Sequence, residues 1–144
     1  MTITVRDAQC GGTPAAGSSY RRLLAKLDEH YLRDGAFLTD RWLRTTSADG
    51  WVRLIARQDA EFVGFLAGLP RTGHISILGA ITPGRGVGAA LLGAFADRAS
   101  QSGATRLTVA IDSKPANRWK RRRFFERQGF VSAGSAVHFT KSLP

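Results

Sequence analysis

Ile3 and Val5 alternate with Thr4 and Arg6, and this period of two predicts a short half-buried strand over residues 3–8. Residues 10–19 are rich in Gly, Ser, Ala and Pro and predict a loop. From Tyr20 to Tyr31 the period lengthens. Leu23, Leu24, Leu27 and Tyr31 fall on one face of a helix, with Ser18 or Ser19 placed to cap it. Gly35 interrupts this pattern, and Phe37, Leu38, Trp42 and Leu43 outline a second, shorter helix. After Gly50 the period returns to that of strands: Trp51 to Ala56, Glu61 to Leu69 and His74 to Ile81. Arg57-Gln58-Asp59-Ala60 and Pro70 to Gly73 supply the turns, so the three strands predict an antiparallel meander.

In the second half, Leu91, Leu92, Phe95 and Ala99 mark one face of a helix ending near Gly103. Thr105 to Ile111 is a mostly apolar strand between helices, which predicts parallel pairing with the third meander strand. Ala116 to Gln128 reads as a basic helix terminated by Gly129. Phe130 opens a short strand, and Val137 to Leu143 forms the last. The order is strand, two helices, three strands, helix, strand, helix, two strands. It predicts an α+β (mixed α/β) layered fold.

A chain of 144 residues is expected to fold as one domain over 1–144. No run of 18 apolar residues predicts a membrane span, and MTITVRDAQ lacks an apolar signal core, so a cytoplasmic protein without membrane association is expected. Cys10 is the sole cysteine, which precludes an internal disulfide. With only three scattered histidines beside it, no metal site is expected. Nothing near Cys10 activates it as a nucleophile.

Charge sharpens the picture. The net charge is +10 and it is uneven: residues 1–72 hold ten Lys/Arg against eight Asp/Glu, and residues 73–144 hold eleven against three. Such an imbalance favours an anionic partner such as a phosphorylated cofactor, an acidic substrate or nucleic acid.

The stretch ITPGRGVGAALL, Ile81 to Leu92, places Gly84, Gly86 and Gly88 just before a helix. A helix start presents unpaired N–H groups and positive partial charge. Glycines let a diphosphate approach those groups, and Arg85 adds an always-charged donor. No Lys-Ser/Thr follows, so this is not a Walker A loop, and its spacing does not match a dinucleotide fingerprint.

These features together resemble the GNAT N-acyltransferase family. Ile81-Thr82-Pro83 and Gly86-Val87-Gly88 resemble the family's pyrophosphate loop, and Ala89-Ala90-Leu91-Leu92 the helix behind it. Phe124-Phe125-Glu126-Arg127-Gln128-Gly129-Phe130 resembles its Phe-Tyr-Glu-x-x-Gly-Phe segment, and Asp59-Ala60-Glu61-Phe62-Val63-Gly64 its second hairpin. The resemblance implies a central mixed sheet of six to seven strands flanked by four helices. It implies acetyl-CoA as co-substrate, held by Gly84, Arg85, Gly86, Val87, Gly88 and Ala89. It also implies that backbone at Gly79, Ala80 and Ile81 pairs with the pantetheine arm, in a slot opened where parallel strands part after Ile81. Two departures stand out. Pro83 occupies a position where Arg or Gln is common, and Phe125 falls where the family's proton-donating tyrosine stands. The family's helix asparagine falls on Arg118, one residue past Asn117, and both are candidates for cofactor contact together with Phe125.

Acyl transfer to an amine requires a group that takes the amine's proton. His74, Glu61 and Tyr31 are the catalytic candidates, with His74 preferred as base because an imidazole titrates in the useful range. His30, His138, Glu29 and Tyr20 are further candidates. Lys114 to Arg127 carries seven basic residues against Glu126, of which Arg118, Lys120 and Arg121 are candidates for the cofactor's phosphates. The surplus fits RNA, an acidic protein face or ordinary solvation. The first expectation is therefore an N-acetyltransferase acting on a primary amine of a small molecule, a protein or aminoacyl-tRNA. The alternatives are a catalytically weak acyl-CoA-binding protein and an RNA-associated protein using residues 114–127. A homodimer is compatible with either class.

Overall fold

The structure is a computed structural model that describes residues 2–8, 17–31, 36–43, 50–81, 85–111, 115–134 and 138–144, with residues 17–18 and 115–120 described as backbone. Seven strands form one sheet: β1 (Ile3–Asp7), β2 (Val52–Gln58), β3 (Glu61–Leu69), β4 (His74–Ala80), β5 (Arg106–Ala110), β6 (Val131–Ser132) and β7 (His138–Ser142). Four helices join them: α1 (Gly17–Tyr31), α2 (Asp40–Leu43), α3 (Val87–Gln101) and α4 (Pro115–Arg127). The strand order is β1-β2-β3-β4-β5-β7-β6. All pairings are antiparallel except β4 with β5, as the helix-flanked position of the fifth strand predicts.

Two boundaries differ from the periodicity. α1 starts at Gly17, so Ser18 and Ser19 lie inside its first turn and do not cap it. β2 continues to Gln58, which leaves a two-residue loop at Asp59-Ala60 in place of the four-residue turn. Asp59 takes the left-handed conformation there, with φ 56°, a conformation Asp tolerates better than most side chains. Cys10 lies outside the described residues.

Each sheet face buries its own core. On one face, Leu91, Leu92, Phe95 and Ala99 of α3 meet Leu54, Leu66, Ile75 and Leu78, joined by Phe125 of α4. On the other, Leu23, Leu24 and Leu27 of α1 meet Ile55, Phe65 and Ile77, joined by Phe37 and Trp42. Burial of such side chains contributes about 1.5–3 kcal/mol each. The link from α1 to α2 is held by Asp28, whose carboxylate accepts the N–H groups of Phe37 (2.7 Å) and Leu38 (3.0 Å).

α2 is only four residues long and is too short to persist by itself. Two buried donors hold it. The Tyr20 hydroxyl donates to the Trp42 carbonyl. Arg53, fully buried in β2, donates from Nη2 (2.7 Å) and Nε (3.3 Å) to the Arg41 carbonyl and from Nη1 to the Trp51 carbonyl (3.2 Å). Burial raises the Tyr20 pKa well above its ordinary value, against the opposing pull of Arg53. Tyr20 thus stays protonated as a structural donor, which removes it from the acid–base candidates.

Candidate active site

β4 carries the feature that shapes the site. Ala67 of β3 pairs with Ile77 and Gly68 pairs with Ile75, so Ser76 has no partner opposite it. This is a β-bulge. It turns Ile75 and Ile77 to opposite faces of the sheet although they are two residues apart, and Ile75 shares its face with Leu78. β4 and β5 are paired only at His74↔Thr108 and Ile75↔Val109. The parallel strands therefore part at the bulge, five residues before the Ile81 position the resemblance implied. A parallel ladder cannot continue past an extra residue that rotates the backbone on one side.

Beyond the bulge, β4 keeps its partner β3 but faces a gap where β5 would lie. Ile81 N–H donates to Val63 C=O at 2.8 Å. By antiparallel alternation Gly79 also faces β3, and Leu78 and Ala80 turn their polar groups to the gap. Protein side chains occupy those groups. Arg121 Nη2 donates to Leu78 C=O (3.1 Å), and the Tyr31 hydroxyl accepts from Ala80 N–H (3.1 Å) and donates to Ala80 C=O (3.2 Å). The Arg121 guanidinium carbon lies 5.2 Å from the centre of the Tyr31 ring, and Phe37 stacks on that ring at 5.7 Å. Arg121 thus turns inward to the gap.

The chain leaves the gap at Ile81 and enters α3 at Val87. Gly84, together with Thr82 and Pro83, lies outside the described residues. Arg85 is exposed. Gly86 has φ 80° and ends in open space, with nothing within 4 Å of where a Cβ would stand. A left-handed residue at the helix entrance leaves the N–H groups of the first turn, among them those of Val87, Gly88 and Ala89, directed outward. Gly88 has another role as well: a Cβ there would stand 2.7 Å from Phe124 Cζ, so its glycine lets α4 pack against α3. The side chains of Asn117 and Arg118 lie outside the described residues. Phe125 is buried in the core, its ring 5.2 Å from that of Phe130.

On the α1–α2 face, next to the parting strands, lies an open recess of about 490 Å³. Its walls include His74 and Ser76 of β4, Ala110 of β5, and Thr39, Arg41 and Trp42 of the α2 segment. His74 Nδ1 lies 2.9 Å from Thr108 Oγ1. Burial lowers the His74 pKa below 6.5, and the charge of His138 lowers it further. The imidazole is therefore neutral at neutral pH. When Nδ1–H donates to Thr108, Nε2 holds a free lone pair.

The structure brings His74 to the recess and Tyr31 to the gap, at opposite ends of β4. Glu61 is exposed at the first residue of β3 and is not part of the recess. His30 is exposed and edge-on to Tyr31, with ring centres 4.8 Å apart. His138 is exposed on β7. Periodicity does not reveal the bulge at Ser76 or the burial of Arg53. One signal pointed to the bulge: Ile75-Ser76-Ile77-Leu78 breaks strict alternation by placing two apolar residues in succession. Among the described residues, no cluster of His, Cys, Asp and Glu is arranged to hold a metal ion, and no helix is long and apolar enough to cross a membrane.

A sequence model described as the acetyltransferase (GNAT) domain matches residues 36–141. The chain belongs to the GNAT acetyltransferase family. Solved structures share its fold. The GCN5-related N-acetyltransferase from Rhodopseudomonas palustris is 22% identical with a TM-score of 0.72, over 99% of this chain and 97% of that one. An acetyltransferase from Thermus thermophilus is 24% identical, also at TM-score 0.72, over 99% and 98% of the two chains. An aminoglycoside 6′-N-acetyltransferase complexed with coenzyme A is 12% identical with a TM-score of 0.72, over 100% and 98%. No curated protein matches the chain in sequence. At these identities the likeness shows the GNAT fold, a mixed seven-stranded sheet with four helices, and leaves the acceptor open.

Proposed function

We propose that the protein is an N-acetyltransferase that moves an acetyl group from acetyl-CoA to a primary amine. One observation carries this reading. The gap between β4 and β5 opens at the bulge directly beside a recess that contains a neutral histidine. A gap lined on one side by the β4 edge suits an extended pantetheine arm, which can add to the sheet edge as a strand does by displacing Arg121 from Leu78 and Tyr31 from Ala80. The residues present fit the co-substrate. Leu78 and Ala80 offer gap-facing polar groups in the segment running on through Gly79 and Ile81. Arg85, Gly86, Val87, Gly88 and Ala89 offer a charged side chain and a helix entrance to a diphosphate. The thioester supplies an activated acyl group.

The chain's own residues supply the rest. The amine binds in the recess, where His74 Nε2 takes its proton as the new C–N bond forms and the C–S bond breaks. Thr108 holds the imidazole in one orientation. Tyr31 lies at the other end of β4 from His74, with its Oη on both polar groups of Ala80, and lines the gap that takes the pantetheine arm; the thiolate leaves without a proton from it. Held geometry contributes much of the rate in such a reaction, since confining two reactants replaces a bimolecular encounter.

Calorimetric titration with acetyl-CoA, with Gly86→Glu as control, tests this reading first. Saturable binding that the substitution removes, followed by thiol release with an amine panel, supports it. A wild-type protein that binds no acetyl-CoA refutes it.

A further inference from the structure

We propose that the amine acceptor carries a carboxylate and that Arg41 at the wall of the recess receives it, so that the substrate is an amino acid or short peptide. This inference rests on the transferase reading above and adds the chemical class of the acceptor.

Three observations lead there. First, the charge of the recess is positive. Arg41 lines it, and no carboxylate does so among the described residues. Two described acids near it in sequence are used or turned away: both oxygens of Asp28 accept backbone N–H groups, and Asp40 is exposed outside the lining; Asp34, Asp49 and Asp112 lie outside the described residues. A polycationic amine would enter this recess against Arg41 with no described carboxylate in its walls to compensate.

Second, the Arg41 guanidinium is held ready. Its central carbon lies 5.2 Å from the centre of the Trp42 ring and 4.7 Å from that of Trp51, and the two indoles meet edge to face at 5.4 Å. A guanidinium stacked on aromatic faces keeps its N–H edge available for a carboxylate in its own plane. Arg41 makes no ion pair with a described carboxylate.

Third, the backbone beneath it is fixed independently of the side chain. The Arg41 carbonyl is the acceptor for buried Arg53, and the Trp42 carbonyl for Tyr20. Arg41 therefore belongs to an anchored wall of the same recess as His74. One end of a bifunctional amine can meet Arg41 while the other presents its nitrogen to the imidazole. A recess of about 490 Å³ lies in the range that accommodates a small organic ligand.

The test compares dipeptides bearing a free C-terminal carboxylate with the same dipeptides as C-terminal amides, and with spermidine. In each dipeptide pair the reacting amine is nearly unchanged and only the distant charge differs. Thiol release from acetyl-CoA is measured for the wild type, Arg41→Gln and Arg41→Lys. The expected result is kcat/KM at least about tenfold higher for the acids than for the amides, a factor typical of one charge-assisted contact. Arg41→Gln brings the acid-to-amide ratio of kcat/KM down to about one through KM for the acids, and Arg41→Lys restores part of the ratio. Equal use of acids and amides, or a preference for spermidine, overturns the inference while leaving the transferase reading intact. A second readout separates the two ideas if no amine is acetylated. The Trp42 indole resonance is followed by NMR while the dipeptides are titrated. A shift with acids and none with amides, lost in Arg41→Gln, supports the carboxylate site although the transferase reading has failed. No shift with either overturns the site.

Discussion

His74 Nδ1 lies 2.9 Å from Thr108 Oγ1 across the first of only two paired positions between β4 and β5. The contact fixes the ring at the place where the strands begin to part. If His74 is the base, its protonation gives kcat/KM an acid limb, which lies below 6.5 because burial lowers its pKa. Activity should be flat from neutral pH upward through this group's range and decline as pH falls below 6.5. His74→Gln should lower kcat by about 100-fold or more and abolish that acid limb. A pH–rate profile of both proteins decides the point, and an unchanged limb in the variant would remove His74 from the reaction.

The same shift has a consequence for stability. The folded pKa of His74 is depressed, so on acidification the unfolded chain takes up this proton first. The stabilisation is present above pH 6.5 and is lost as pH falls from 6.5 through the folded pKa. Urea denaturation from about pH 7.5 downward should show a decline in this window that is shallower in His74→Gln. Parallel curves for the two proteins would contradict it.

Tyr31→Phe keeps the stacked ring and deletes the hydroxyl that meets both polar groups of Ala80. Ala80 lies at the far end of β4 from His74, so the hydroxyl shapes the gap, and its loss should shift KM for acetyl-CoA severalfold with little change in kcat. A fall in kcat at unchanged KM, narrowed by a thioester with a more acidic leaving thiol, would instead place the reacting centre at Tyr31 and away from His74.

Gly86 and Gly88 should respond differently to alanine. At Gly86 the space is open but φ is 80°, so Gly86→Ala costs about 1 kcal/mol of backbone strain and weakens acetyl-CoA binding modestly. At Gly88 a Cβ would stand 2.7 Å from Phe124 Cζ, so Gly88→Ala displaces the contact between α3 and α4. Thermal melts should rank Gly88→Ala as the less stable of the two, and calorimetry should find both weaker for acetyl-CoA than wild type. The reverse ranking would mean that Phe124 yields easily.

Arg53→Met should be strongly destabilising despite its similar length. It leaves the carbonyls of Arg41 and Trp51 without this donor in a buried setting, at about 1–3 kcal/mol for each group left unsatisfied. The fall in Tm should be accompanied by a raised KM for the acceptor, because α2 forms a wall of the recess. Wild-type KM in a destabilised variant would detach α2 from acceptor binding.

Much of this architecture was legible in the residue pattern. Leucines at helical spacing in α1 and α3, the turn residues between β2, β3 and β4, and Gly129 after α4 determine elements by local sterics and by the need to bury one face. The order of those elements, with ITPGRGVG and FFERQGF in place, pointed to the GNAT family. Pairwise relations at a distance were not legible. The parting of β4 from β5 at Ser76 depends on an unpaired residue meeting a parallel neighbour far away in the chain. Nothing in the local pattern marks Arg53 as buried; it donates to the carbonyls of Arg41 in α2 and of Trp51 just before β2, two groups that meet only in the fold. Phe124 and Gly88 are matched only once α3 and α4 lie side by side. Tyr31 meets Ala80, and Arg121 turns to Leu78, only because the opened gap leaves strand groups that require partners. Local periodicity determined the elements of this protein; its site was decided by the satisfaction of backbone groups between elements, which no local pattern specifies.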